Sequence, residues 1–281
     1  MQINPYLIRN SVKSTLIHLF LLTIALSCIF PLFWMLRCSL MTNQTIFIDK
    51  GLIPQVINLN NFSVAWTKGN FGQYFINSVI YTFSVVTGIV VISSLAAFAF
   101  SRLEFPGKNL FFYMFVAAMM IPLPGSFVPL VVLMNEIGLA DTRHGYILCM
   151  INVGLSLSIL LLKTFFDKMP PDLEDAARID GCGKLGIWWH VAIPLARPAL
   201  AVIVIFNSLN VWNEFILAQL ILTNPDLMPL QKGLMEFAGA TSIDYPVLMA
   251  GLTIAAVPII VVYLVMQKHI IKGLSSGAVV G

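Results

Sequence analysis

Charged residues are scarce in this chain of 281 residues. They make up only 10% of it, whereas apolar residues make up 58%. Soluble domains normally carry about 25% charged residues, so the composition excludes an ordinary soluble domain and indicates a protein built for lipid.

Motifs of catalysis are also missing. There is no Gly-x4-Gly-Lys-Ser/Thr phosphate-binding loop, so the chain is not expected to hydrolyse ATP itself. Neither His-Glu-x2-His nor Gly-x-Ser-x-Gly occurs, and a single carboxylate within the apolar spans is too few for a paired acid/base site. The four cysteines and four histidines show no metal-ligand spacing. We therefore predict no catalytic residue, no metal site and no cofactor in this chain, and no enzyme activity.

Long apolar runs are what the chain has instead. A helix of about 20 apolar residues crosses a hydrocarbon core of about 30 Å, and backbone amides in lipid must bond within their own segment. The sequence predicts an all-α bundle of six transmembrane helices in one membrane domain, 1–281. The first run is expected to be an uncleaved anchor. The predicted spans are 14–36, 75–100, 109–133, 145–162, 199–222 and 246–266.

The positions of Lys and Arg predict the orientation of these spans. With a cytoplasmic amino terminus, eleven of the 16 basic residues fall inside, which satisfies the positive-inside rule. Both termini are then cytoplasmic. The net charge of +3 is therefore a topology signal and does not indicate binding to nucleic acid. The inner set is Arg9, Lys13, Arg102, Lys108, Lys163, Lys168, Arg178, Lys184, Arg197, Lys268 and Lys272.

Only one predicted inner loop, 165–198, is long, and it has helical features of its own. Pro170 and Pro171 end the preceding helix, and Asp172 is placed to cap the next one. Gly181 is expected to end that helix in a left-handed conformation. A short helix, a turn and a second helix would form a rigid projection on the cytoplasmic side. This loop predicts a docking element for a soluble partner.

The loop resembles the EAA loop of bacterial ATP-binding-cassette (ABC) importer permeases. The family pattern Glu-Ala-Ala-x3-Gly-x9-Ile-x-Leu-Pro matches Asp175-Ala176-Ala177-x3-Gly181-x9-Val191-x-Ile193-Pro194. Asp175 replaces the family's Glu, and Glu174 precedes it, so either carboxylate is a candidate for the ATPase contact. The Val211-Trp212-Asn213-Glu214-Phe215 stretch and the Gly273-Leu274-x3-Gly277 tail resemble the carbohydrate-importer branch, of maltose and glycerol-phosphate type.

This resemblance implies a bacterial inner-membrane permease that works with other subunits. They are a second permease forming a heterodimer, two ABC ATPases that bind ATP and Mg, and an external solute-binding protein that touches the outer loop 223–245. Membrane lipid is the remaining partner. The residues implied in ATPase coupling are Glu174, Asp175, Ala176, Ala177, Arg178, Asp180, Gly181 and Pro194. A Glu174–Arg178 pair within the helix is the alternative to docking.

A polar face in the fifth span is the candidate solute pathway. Glu214 is the only charged residue within the predicted spans, and such residues usually face a bundle interior or water. Asn207, Asn210 and Glu214 lie at i, i+3 and i+7, with Asn213 beside them. Polar bonds between helices are one alternative reading. A position of Glu214 at the outer interface is another.

The third span carries three prolines, Pro122, Pro124 and Pro129. Proline removes a backbone donor and clashes with the preceding turn, so this helix is expected to kink or unwind there. The prolines are either a hinge that lines the pathway or a kink for packing.

A secondary transporter driven by an ion gradient is the alternative function. It would need ionisable relays and broken helices in both halves, and the chain has one carboxylate and no repeat. The sequence does not name the solute.

Overall fold

The computed structural model describes residues 5–121, 123–239 and 243–277, and all regular structure within these ranges is helical. The first half comprises α1 (Pro5–Ser39), α2 (Asn60–Thr67), α3 (Phe71–Arg102), α4 (Lys108–Ala118), α5 (Leu123–Glu136) and α6 (Arg143–Asp167). The second half comprises α7 (Asp172–Ile179), α8 (Lys184–Ile187), α9 (Ile193–Leu195), α10 (Arg197–Asn213), α11 (Ile216–Ile221), α12 (Leu230–Ala238) and α13 (Tyr245–Gly277).

Four stretches in the described ranges are long and apolar enough to cross a membrane as single helices: Lys13–Ser39, Phe71–Arg102, Arg143–Asp167 and Tyr245–Val265. A fifth crossing results if the segment Lys184–Leu195 and helix α10, which meet at an angle of 78°, are taken together. Several apolar helices therefore confirm an all-α membrane protein, with fewer unbroken spans than the six predicted.

The predicted third span is two short helices, as its prolines led us to expect. α4 ends at Ala118 and α5 begins at Leu123. Pro124 and Pro129 fall within the bounds of α5, and the Pro129 side chain is exposed. Pro122 lies outside the described residues. Neither helix has the length to cross a bilayer alone.

The predicted fifth span is also broken, and here continuity was wrongly predicted. α10 ends at Asn213, and Glu214 has extended backbone angles (φ −71°, ψ 135°). The chain resumes a helix only at Ile216. The apolar run is uninterrupted by Pro or Gly at this point, so its sequence gives no warning of the break.

One compact unit comprises 1–69 and 234–256. Within the part of α1 from Lys13 to Ser39, the most apolar 18 residues are not buried inside this chain. Buried Arg37 fixes the segment after α1, because its guanidinium donates to the Asp49 carbonyl at 2.8 Å. Asn61 of α2 donates to the carbonyls of Ser39 and Met41.

The second unit comprises 70–233 and 257–281. Its core is built on α3 and α6, which run parallel. Near their amino-terminal ends, the rings of Tyr81 and Tyr146 pack edge to face with centroids 4.7 Å apart. Near their carboxyl-terminal ends, the rings of Phe98 and Phe166 pack in the same way with centroids 6.1 Å apart. α10 packs across both helices. Gly154 of α6 makes the closest approach, since a Cβ there would lie 2.3 Å from the Asn207 Oδ1 atom.

Candidate coupling site

The helix that carries the EAA-like motif is short and sharply ended. α7 begins at Asp172 itself with Pro171 before it, so the predicted capping role of Asp172 is wrong. At its end Gly181 adopts φ +84°, which confirms the predicted left-handed turn. The Gly181 amide donates to the Arg178 carbonyl, and the Cys182 amide to the Ala177 carbonyl. These two bonds form a Schellman motif, which glycine favours because it has no Cβ.

The motif divides into an inner and an outer face. Glu174 and Ala177 are buried, and Ala177 joins the main core of the second unit. The remaining predicted coupling residues face outward: Asp175, Ala176, Arg178, Asp180, Gly181 and Pro194. Large apolar side chains stand beside them with no internal cover, since Ile179 is 87% exposed and Leu185 is 71% exposed. Exposed large apolar groups on a segment that also carries exposed charges fit a protein-docking surface.

Glu174 is engaged within the chain. Its Oε1 atom lies 2.8 Å from the Nε atom of Arg102, the last residue of α3. The Arg102 guanidinium also donates to the Met169 carbonyl at 2.7 Å and to the Phe166 carbonyl. One arginine therefore joins α7 to the last residues of α3 and α6. A cation at the carboxyl end of a helix also complements its dipole.

Asp175 is the carboxylate that stays available. Its side chain is 62% exposed, and its only ion pair within the described residues is with Arg178 at 3.0 Å, an exposed contact one helical turn away. Such surface pairs contribute at most about 1 kcal/mol. The Glu174–Arg178 pair is longer, at 3.8 Å. Of the two candidate carboxylates, the geometry therefore leaves Asp175 free to meet a partner.

The chain after Gly181 turns back toward the bundle. α8 continues into a π-helical turn, Trp188–Ala192, and then α9. Ile187 and Ala192 are buried against the core, while Trp189 is exposed. π-helical turns occur often at functional sites because they redirect side chains within a helix. The segment 172–195 is thus anchored on its inner side and open on its outer side.

The four pathway candidates do not share one surface. Asn207 is buried, and its amide donates to Ser158 Oγ of α6 at 3.2 Å and to the Ile203 carbonyl at 2.9 Å. The first bond joins two helices, as the packing alternative predicts. Asn210 and Asn213 are exposed, and Asn213 donates to the Leu209 carbonyl one turn back.

Glu214 lies at the break between α10 and α11, so the predicted helical face through Asn207 and Asn210 does not include it. Its carboxylate accepts the backbone N–H groups of Leu217 at 2.5 Å and Ala218 at 3.1 Å. The Tyr146 hydroxyl donates to it at 2.9 Å. A carboxylate at the first turn of a helix satisfies its free amides and complements its dipole. The Glu214 side chain therefore caps the amino-terminal turn of α11, which begins at Ile216.

The segment after α11 is bonded to the amino-terminal part of α3 and to the loop just before α6, at the ends of these helices that lie away from α7. Buried Asn77 of α3 donates to the carbonyls of Asp226 at 2.8 Å and Met228 at 2.9 Å. The Ser78 hydroxyl accepts the Leu230 amide at 2.8 Å. Asp141 accepts the amides of Asn224 and Thr223, and these bonds hold the pKa of Asp141 below its usual range.

Sequence reasoning missed three of these residues: Arg102, Tyr146 and Asn77. Arg102 was counted only as an inner charge, and Asn77 and Tyr146 carry no motif. Their roles follow from contacts between segments far apart in the chain. No local signal could have identified them.

Comparison with known proteins places these features in a family. Residues 88–276 match the family described as binding-protein-dependent transport system inner membrane component. The chain is 35% identical to the probable ABC transporter permease protein YurM of Bacillus subtilis, over 95% of this chain and 88% of that one. It is 33% identical to the diacetylchitobiose uptake system permease protein NgcG of Streptomyces coelicolor, over 92% of this chain and 87% of that one.

The fold has also been observed in a solved structure. One chain of a bacterial ABC transporter involved in the import of the acidic polysaccharide alginate has a TM-score of 0.79 to this chain, at 24% identity, covering 95% of this chain and 98% of that one. The predicted resemblance to carbohydrate-importer permeases is confirmed. Such permeases are not enzymes, which confirms that prediction too. The chain belongs to the family of membrane permeases of binding-protein-dependent ABC transport systems.

Proposed function

We propose that this chain is one permease subunit of a bacterial ABC importer for a sugar or oligosaccharide, and that α7 is the element through which partner ATPases drive it. The observation that carries the proposal is the two-faced segment 172–195. Its inner face is held by Arg102 and the core, and its outer face presents Asp175, Arg178 and exposed apolar side chains. A foreign subunit gripping that outer face would move α3 and α6 with it.

The assembly is completed by partners. A second permease and lipid would cover the apolar surface that α1 leaves exposed. Two ATPase subunits would bind ATP and Mg and receive α7. An external solute-binding protein would contact the segment 223–245. The chain would lie in the bacterial inner membrane with both termini in the cytoplasm and six crossings, two of them broken: α4 with α5, and α10 with α11.

The solute class is inferred from the relatives. NgcG is a diacetylchitobiose permease, and AraQ of Bacillus subtilis, 28% identical over 96% of this chain, belongs to an arabinooligosaccharide system. Hydroxyl-rich solutes require amide and hydroxyl groups on the pathway. Asn210 and Asn213 are exposed amides that fit this role, with Pro124 and Pro129 of α5 as hinge residues. Asn207 and Glu214 serve the helices themselves, as described above.

Uptake by the reconstituted complex tests the proposal. The tagged chain is purified with the proteins that accompany it, placed in liposomes, and supplied with the binding protein and a panel of labelled oligosaccharides. We expect uptake of at least one sugar that requires ATP inside the vesicles and persists with a protonophore present. Uptake driven by an ion gradient without ATP would establish the secondary-transporter alternative instead.

A further inference from the structure

Arg102 connects the carboxyl-terminal end of α3 to α7 and to the end of α6. Its side chain is 15% exposed and reaches the buried carboxylate of Glu174, which is 7% exposed, at 2.8 Å. The same guanidinium bonds the carbonyls of Phe166 and Met169. Arginine has a planar guanidinium that can donate to two carbonyls while its charge pairs with a carboxylate, and the compact ammonium of lysine does not reproduce this geometry. Removing the Arg102 charge leaves the buried Glu174 carboxylate with only the longer contact to Arg178, at 3.8 Å, and a buried charge that loses its closest partner is destabilising.

The other end of α3 connects to the segment 226–228. Asn77 is fully buried and bonds the backbone of Asp226 and Met228, and its own oxygen accepts Arg143 at 2.9 Å. Tyr81 bonds the Leu227 carbonyl at 2.6 Å. These hydrogen bonds from α3 all go to backbone carbonyls of the segment 226–228. We therefore expect this segment to move with α3, whatever contacts its own side chains make with a partner.

Between these connections α3 is unbroken. It runs for 32 residues without proline, whereas α1, α5 and α13 have prolines in their interiors, at Pro31, Pro129 and Pro258, and the fifth span is interrupted at Glu214. Asn77 and Arg102 are about 37 Å apart along the axis at about 1.5 Å per residue. That distance exceeds the roughly 30 Å hydrocarbon core. α3 is therefore a continuous strut from α7 to the segment 226–228.

We propose that Arg102 and Asn77 are positioning residues that make α3 the mechanical link between the ATPase-docking helix α7 and the loop that meets the solute-binding protein. The inference rests on the proposed function. It adds that the contacts made by Arg102 and Asn77, in addition to the docking surface, transmit a movement of α7 across the membrane. Coupling of this kind requires a packed element that two sites both bias, and α3 has a fixed contact at each site.

A reporter on the far loop tests the link. In a background with the four native cysteines replaced by alanine, Asp226→Cys is labelled with a nitroxide, because the Asp226 side chain is exposed. The complex is purified with its partners into nanodiscs, and the nitroxide spectrum is recorded without nucleotide and after trapping with Mg, ATP and vanadate. Arg102→Gln is compared with Lys108→Gln, which removes a charge from an exposed pair with Glu104.

We expect Arg102→Gln to retain the ATPase subunits in wild-type proportion and an unchanged spectrum without nucleotide. The nucleotide-induced change should fall at least about fivefold, the lower end of typical coupling between sites. Lys108→Gln should keep the full change. If Arg102→Gln does not fold, Glu174→Gln removes the partner charge at constant size and should reduce the change in the same direction.

Two results would overturn the link. One is a full nucleotide-induced change in Arg102→Gln or Glu174→Gln. The other is loss of the ATPase subunits from these variants, which would show that Arg102 only shapes the docking surface. If the unmutated chain recovers no ATPase subunit, the proposed function fails, and this inference falls with it.

Discussion

At the scale of single residues, two adjacent carboxylates have opposite surroundings. The Glu174 side chain is 7% exposed and pairs with Arg102, whereas the Asp175 side chain is 62% exposed. The family resemblance left open which of them would contact an ATPase subunit, because both are acidic and both stand at the start of the motif. Burial separates them, and burial depends on Arg102, which lies about 70 residues earlier in the chain and outside any local pattern.

Asp175→Lys tests the outer carboxylate. The family resemblance implies a basic ATPase side chain opposite this carboxylate. We expect recovery of the ATPase subunits with the tagged chain to fall at least about tenfold, because the new lysine would face that like charge across the interface, which costs several kcal/mol. Glu104→Lys is the control, since Glu104 is a comparably exposed carboxylate with a partner one turn away. Quantitative mass spectrometry of the purified complex gives the measurement. Equal recovery in both variants would reject the assignment of Asp175.

The glycines that flank Cys182 provide a matched pair. Neither has an atom within 4 Å of where a Cβ would stand, and only Gly181 has a positive φ, +84°, against −73° for Gly183. Gly181→Ala should therefore destabilise the turn by about 1–2 kcal/mol, the cost of a left-handed conformation for a residue with a Cβ. Faster hydrogen exchange at the amides of 176–182 would report it. In Gly183→Ala the same amides should exchange at the rate of the unmutated chain. Faster exchange in Gly183→Ala would show that the positive φ of Gly181 is not the cause of the destabilisation.

At the scale of helices, the hydropathy of the sequence predicts where the apolar segments lie but does not predict where the helices within them break. The break between α4 and α5 follows from its prolines, which are visible in the sequence. The break at Glu214 does not, because it depends on contacts from α6 and on the amides of α11. A helical face drawn through Asn207, Asn210 and Glu214 assumed a continuous helix. Periodicity can locate a face only while the helix persists.

Gly154 tests the packing of α3, α6 and α10. A Cβ there would stand 2.3 Å from both the Asn207 Oδ1 and the Ile89 Cδ1 atoms. Gly154→Ala should lower the thermal unfolding midpoint, because overpacking a core of this kind costs about 1–3 kcal/mol. Gly186→Ala is the control, with its nearest atom at 3.5 Å. Identical midpoints for both variants would show that these helices do not depend on the close approach.

At the scale of the whole molecule, the chain belongs to the family of inner-membrane components of binding-protein-dependent transport systems and has the fold of a solved ABC transporter chain. The sequence predicted this class by resemblance: the EAA-like spacing from Asp175 to Pro194 matches the family pattern, and the stretch 211–215, the tail 273–277 and the six-span layout agree with it. Local geometry of this kind does not encode the solute, so the solute class proposed above rests on the relatives.

Cross-linking from Ile179 tests the central claim most directly. This side chain is 87% exposed at the end of α7, and Phe83 of α3, 73% exposed within an apolar span, is the control position. A photoreactive amino acid is placed at each position in living cells, and the covalent products are identified by mass spectrometry. The account predicts a product with an ABC ATPase subunit from position 179 and none from position 83. Capture of lipid alone, or of no ATPase subunit, from position 179 would contradict it.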